Sequence, residues 1–87
     1  MKIKEGFIKK NVGGAEVVVA VGEASVGFNA MITLNGPAAY LWTLLENEVT
    51  EEELVTAMTE KYDIDADTAR RDIIAFLDKA RSAGVIE

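Results

Sequence analysis

The sequence predicts an α+β domain in which a three-stranded antiparallel sheet precedes a three-helix bundle, in the order βββααα. Three observations support this. Up to Leu34 the chain is rich in β-branched residues, and five of its seven glycines (Gly6, Gly13, Gly14, Gly22, Gly27) punctuate that stretch. From Asn35 onward the apolar residues recur with a period near 3.6. Capping residues then divide this second half into three segments of helical length. The 87 residues make one domain spanning 1–87, because neither half could bury a core alone.

Residues 6–12 and 15–21 flank Gly13-Gly14, a dipeptide suited to the positive φ angles of a tight hairpin turn. In the second strand Val17, Val19 and Val21 share one face, and Val18 and Ala20 share the other. Two apolar faces mark this strand as the covered, central one. A third strand is expected over residues 28–34, where Phe28, Ala30, Ile32 and Leu34 alternate.

Asn35 is placed to cap a helix over residues 36–46, with Pro37 in the opening turn, where a missing N–H costs little. Ala38, Leu41, Trp42 and Leu45 form its buried stripe. Thr50-Glu51-Glu52-Glu53 reads as a capping box opening a helix over 51–62, whose inner face is Leu54, Val55, Met58 and Tyr62. Its three carboxylates suit the positive end of the helix dipole. Asp65 caps a third helix over 66–83, and Gly84 supplies a left-handed C-cap. The core stripe there is Ala69, Ile73, Phe76, Leu77 and Ala80, with Val85-Ile86 tucking back as an apolar tail.

Composition narrows the chemistry. With no Cys and no His, the chain lacks thiol nucleophiles, thiolate and imidazole metal ligands, and the usual general base. Its carboxylates occupy helix first turns and solvent-facing positions, where capping and solubility alone would put them. Asp63, Asp65 and Asp67 lack the rest of a calcium-binding loop. No catalytic residue, metal site or cofactor is therefore expected, and the chain is read as no enzyme. Nine Lys and Arg against 15 Asp and Glu leave a net charge of −6, which disfavours a nucleic-acid partner. The third helix carries Arg70, Arg71, Lys79 and Arg81, but also Asp67, Asp72 and Asp78, so it too is near neutral. No apolar run approaches the roughly 20 residues of a membrane span, and no signal-peptide core follows the N-terminus. A cytoplasmic protein with no membrane partner is expected.

What survives is a site for another polypeptide. Residues 28–34 carry no charge, whereas edge strands that must avoid pairing usually carry Lys, Pro or an inward charge. On the third helix, at about 100° per residue from Ile73, Ile74 lies off the centre of the buried stripe, on the same side as Arg70 and Arg81. An apolar margin beside two arginines suits one wall of a groove, and an uncharged edge strand suits the other. Two readings from other classes stand beside it. One is a winged-helix nucleic-acid binder; the other is an oligomerisation module forming a homodimer through the edge strand and the Val18/Ala20 face.

Phe28-Asn29-Ala30-Met31-Ile32-Thr33-Leu34-Asn35 followed by Ala38-Ala39-Tyr40-Leu41-Trp42 resembles the corresponding segment of the coenzyme PQQ synthesis protein D family. The acidic capping box, then Tyr62-Asp63-Ile64-Asp65, the third helix and the Gly84-Val85-Ile86 ending continue in family order. The resemblance implies a winged-helix-like domain that binds the leader segment of a ribosomally made precursor peptide. Such a domain presents the leader to a modifying enzyme, commonly a radical S-adenosylmethionine protein, in PQQ or another peptide pathway. It implies leader addition beside the third strand and against the third helix. Carried onto this chain, the site comprises Ala30, Met31, Ile32, Thr33 and Leu34 on the strand, and Arg70, Arg71 and Ile74 on the helix.

Overall fold

The computed structural model describes residues 1–22 and 32–86. Three strands, β1 (Phe7–Val12), β2 (Ala15–Ala20) and β3 (Ile32–Leu34), precede three helices, α1 (Gly36–Leu45), α2 (Glu51–Lys61) and α3 (Ala66–Ala83). The strands form one antiparallel sheet in the order β1-β2-β3, so the strand with two apolar faces is the central one. Residues 28–31, the expected start of the third strand, lie outside the described residues.

Gly13 and Gly14 join β1 to β2 at φ of 58° and 87°, and the register runs Val12 opposite Ala15 to Phe7 opposite Ala20. Two successive left-handed residues match the twist of the flanking strands, which is why a glycine pair serves here. The Asn11 carboxamide oxygen accepts the Gly14 N–H at 3.2 Å and fixes the turn.

The helix ends follow their caps. Asn35 accepts the Ala38 N–H at 2.8 Å, and Asp65 accepts the Thr68 N–H at 2.7 Å. At α2 the capping box is reciprocal: Thr50 Oγ1 accepts the Glu53 N–H at 3.1 Å, and Glu53 Oε1 accepts the Thr50 N–H at 2.9 Å. α3 ends on Gly84 at φ 75°, with the Gly84 N–H bonded to the Arg81 carbonyl and the Val85 N–H to that of Ala80. That paired closure turns the chain back, so Val85 and Ile86 are buried.

One core joins all the layers. Val18 and Leu34 from the sheet meet Leu41, Trp42 and Leu45 of α1, Leu54, Val55 and Met58 of α2, and Ala69, Ile73, Leu77 and Ala80 of α3. Lys9 on the same face of β1 donates to Thr43 Oγ1 at 3.2 Å, tying the hairpin to α1. The two ends of the described chain close over this core. Ile3 forms an antiparallel bridge with Ile86, and its N–H bonds the Leu45 carbonyl at 2.9 Å. No described helix is long and apolar enough to cross a membrane.

The sheet corrects one expectation. Val18 is fully buried and Ala20 half-buried, so the Val18/Ala20 face belongs to the core and is not open to a second copy. The opposite face bears the exposed apolar side chains of Ile8, Val12 and Val21.

Candidate functional site

β3 pairs with β2 along one edge only. Leu34 lies opposite Glu16, Thr33 opposite Val17 and Ile32 opposite Val18, and the other edge has no strand partner among the described residues. Strand alternation aims Ile32 and Leu34 at the core side and Thr33 away from it. A groove of about 410 Å³ opens where this strand approaches α3. Ile32, Thr33 and Leu34 line its strand side, and Asp72, Ala75, Phe76 and Lys79 line its helix side. The floor is apolar: Val18, Leu41, Trp42, Met58 and Val85 all reach it. The volume is that of an ordinary ligand pocket, with a strand edge as one lip.

The helix side of this groove is not the expected one. The core stripe of α3 is Ala69, Ile73, Leu77 and Ala80. Measured around the helix from Ile73, the groove residues Asp72, Ala75, Phe76 and Lys79 lie at about 200° to 300°. Arg70, Ile74 and Arg81 lie at about 60° to 100°, on the far flank. None of Arg70, Arg71 and Ile74 lines the groove. Arg70 instead reaches the first turn of α2, where its Nη1 sits 2.9 Å from Glu51 Oε2 and 2.7 Å from Glu52 Oε1. The guanidinium, hydrogen-bonded to Glu52, holds that carboxyl below the usual range, and Arg70 is itself raised in return. Arg81 turns towards Met1, its Nη2 at 3.3 Å from the sulfur. Arg71 and Ile74 are exposed.

Of the expected site residues, then, the structure brings Ile32, Thr33 and Leu34 to the groove and leaves the helix-side three away from it. Ala30 and Met31 lie outside the described residues. The residues the sequence reading passed over are Asp72, Ala75 and Lys79. Phe76, read there as core, is a half-buried wall of the groove. Asp72, Ala75, Phe76 and Lys79 share one flank of α3 at i, i+3, i+4, i+7, but every flank of a helix has that spacing, so no signal in the sequence singles them out.

The site offers shape and hydrogen-bonding edges more than reactive groups. Among the described residues no polar or charged side chain is buried, and no three carboxylates gather as metal ligands. The capping carboxylate of Asp65 is lowered chiefly by the Thr68 backbone N–H, which is a structural task.

The family model described as coenzyme PQQ synthesis protein D matches residues 15–86. No curated protein matches the chain. Among solved structures, that of TbiB1 in complex with the TbiA(beta) leader peptide is similar over 100% of this chain and 95% of that one, with a TM-score of 0.80 and 24% identity. At that identity the likeness is one of fold.

Proposed function

Because the chain belongs to the coenzyme PQQ synthesis protein D family, we propose that it is a non-catalytic peptide-binding protein whose groove takes the leader segment of a ribosomally made precursor. The leader adds as a strand to β3 and lies against α3. One observation carries this reading: the edge of β3 that has no strand partner among the described residues lies beside an apolar groove walled by a helix. Backbone hydrogen bonds to such an edge give affinity without regard to sequence, while alternate side chains dropping into the groove give selectivity. The similar TbiB1 structure holds a leader peptide, which supports the same use of this fold.

The site in this reading is Ile32, Thr33 and Leu34 with Ala75 and Phe76; Ala30 and Met31, which precede Ile32 in sequence, are assigned to it from the sequence resemblance alone. Arg70, Arg71 and Ile74 are left out of it. The receiving partner is a peptide-modifying enzyme, of the radical S-adenosylmethionine class or another, and the encounter takes place in the cytoplasm, where the precursor is made. No cofactor enters the binding step.

Isothermal titration of the full chain with the precursor peptide encoded beside its gene tests the proposal. A dissociation constant at or below the micromolar range is expected. An absence of binding at about 100 µM peptide, far weaker than a specific complex, overturns it.

A further inference from the structure

Asp72 and Lys79 stand on the helix side of the groove with Ala75 between them. Both are exposed, and neither takes part in an ion pair among the described residues. Arg70, on the other flank of the same helix, is held by two carboxylates. Asp72 and Lys79 do not pair with each other either, their Cα atoms standing about 10.5 Å apart along seven residues of helix. Ala75 leaves room between them above the apolar floor.

Resting on the reading of the groove as a peptide site, we infer that these two side chains set a charge register on the guest strand. The favoured guest places an apolar side chain over Ala75, an acidic residue towards Lys79 and a basic residue towards Asp72. Strand geometry supports the spacing. Side chains on one face recur every two residues, so positions i and i+4 lie about 13.6 Å apart with i+2 midway between them. The lysine stem easily covers the difference from the helix spacing. A guest laid in the groove would cover both charges, and a like charge opposite either of them is strongly disfavoured. The guest class is thus an extended acidic–x–apolar–x–basic peptide, read from whichever end the strand direction dictates.

The test is selection of a positional library of blocked nonapeptides in a Val/Thr host on the immobilised full chain. The expected result is enrichment of an acid and a base four positions apart around an apolar residue, each by about threefold or more, within the range of a partly exposed ion pair. The double variant Asp72→Lys/Lys79→Asp should invert the order of the two charges, and Lys79→Ala alone should abolish only the acid preference. Both sites are exposed, and circular dichroism of each variant confirms folding. Apolar enrichment without charge preference, or the same charge order in the swapped variant, overturns this inference while leaving peptide binding intact. Retention of no peptide overturns the peptide-site reading and this inference with it.

Discussion

The two flanks of α3 carry similar residues and do different work. One bears Arg70, Ile74 and Arg81: Arg70 is held in a bridge to Glu51 and Glu52, while Arg81 makes a contact with the Met1 sulfur. The other bears Asp72, Ala75, Phe76 and Lys79 and faces a groove whose far lip is β3, which beyond its pairing with β2 has no strand partner among the described residues. Residue type alone ranks the first flank higher, since arginines beside an isoleucine look like a recognition surface. Placement reverses the ranking. A charge already met by a neighbouring helix contributes to the scaffold, while a charge over an open groove is available to a guest.

Replacing one residue on each flank should give the largest divergence. Ala75→Trp fills the groove from an exposed helix position, so peptide affinity should fall at least about tenfold, near 1.4 kcal/mol. Thermal stability should be little changed. Ile74→Asp, one residue away on the exposed opposite flank, should alter affinity by less than about twofold, within the usual range for neutral surface changes. Calorimetry on both variants decides, and a loss of binding in Ile74→Asp would return the site to the arginine flank.

A smaller effect should appear in stability alone. Thr50→Ala removes the cap of α2, the helix end that presents Glu51 and Glu52 to Arg70. Urea denaturation should show a loss of about 1 kcal/mol at unchanged m-value, with peptide affinity retained. If affinity falls in step with stability, the two flanks are not independent.

The weakest effect concerns acid. Glu52 and Asp65 both titrate below their ordinary values in the folded chain. A depressed carboxylate contributes stability above its unfolded pKa and loses it as pH falls through the folded one. Melting temperature should therefore hold from neutral pH to about 5 and decline below about 4. In Arg70→Gln the Glu52 share of that decline should vanish. Because the pair is exposed, added salt should shrink the difference between variant and parent.

Much of the fold was legible because its signals are local. Asn35, Thr50 with Glu53, and Asp65 each bond an amide three residues on, so a cap read in sequence is a cap found in space. Gly13-Gly14 likewise needs only its own backbone angles. The strand side of the groove was legible for a related reason: a charge-free segment at the end of a sheet is an edge by default. The helix side was not. A period of 3.6 finds the centre of the buried stripe at Ile73, but both margins of that stripe look alike in one dimension. Which margin meets the sheet depends on how α3 crosses it, a matter of topology that no spacing within the helix records. Phe76 does both jobs: it packs against the core, as its place in the stripe implies, and its half-buried ring also walls the groove, which periodicity alone does not show.

The bridge between Ile3 and Ile86 has a practical corollary. Bridge partners lie about 5 Å apart, so a polypeptide arriving at one departs from the same spot. A unit with this geometry can be spliced into a surface turn of a larger protein without prising the host apart. Spliced so into a peptide-modifying enzyme of the class proposed above, it would turn a bimolecular delivery of peptide into a tethered one.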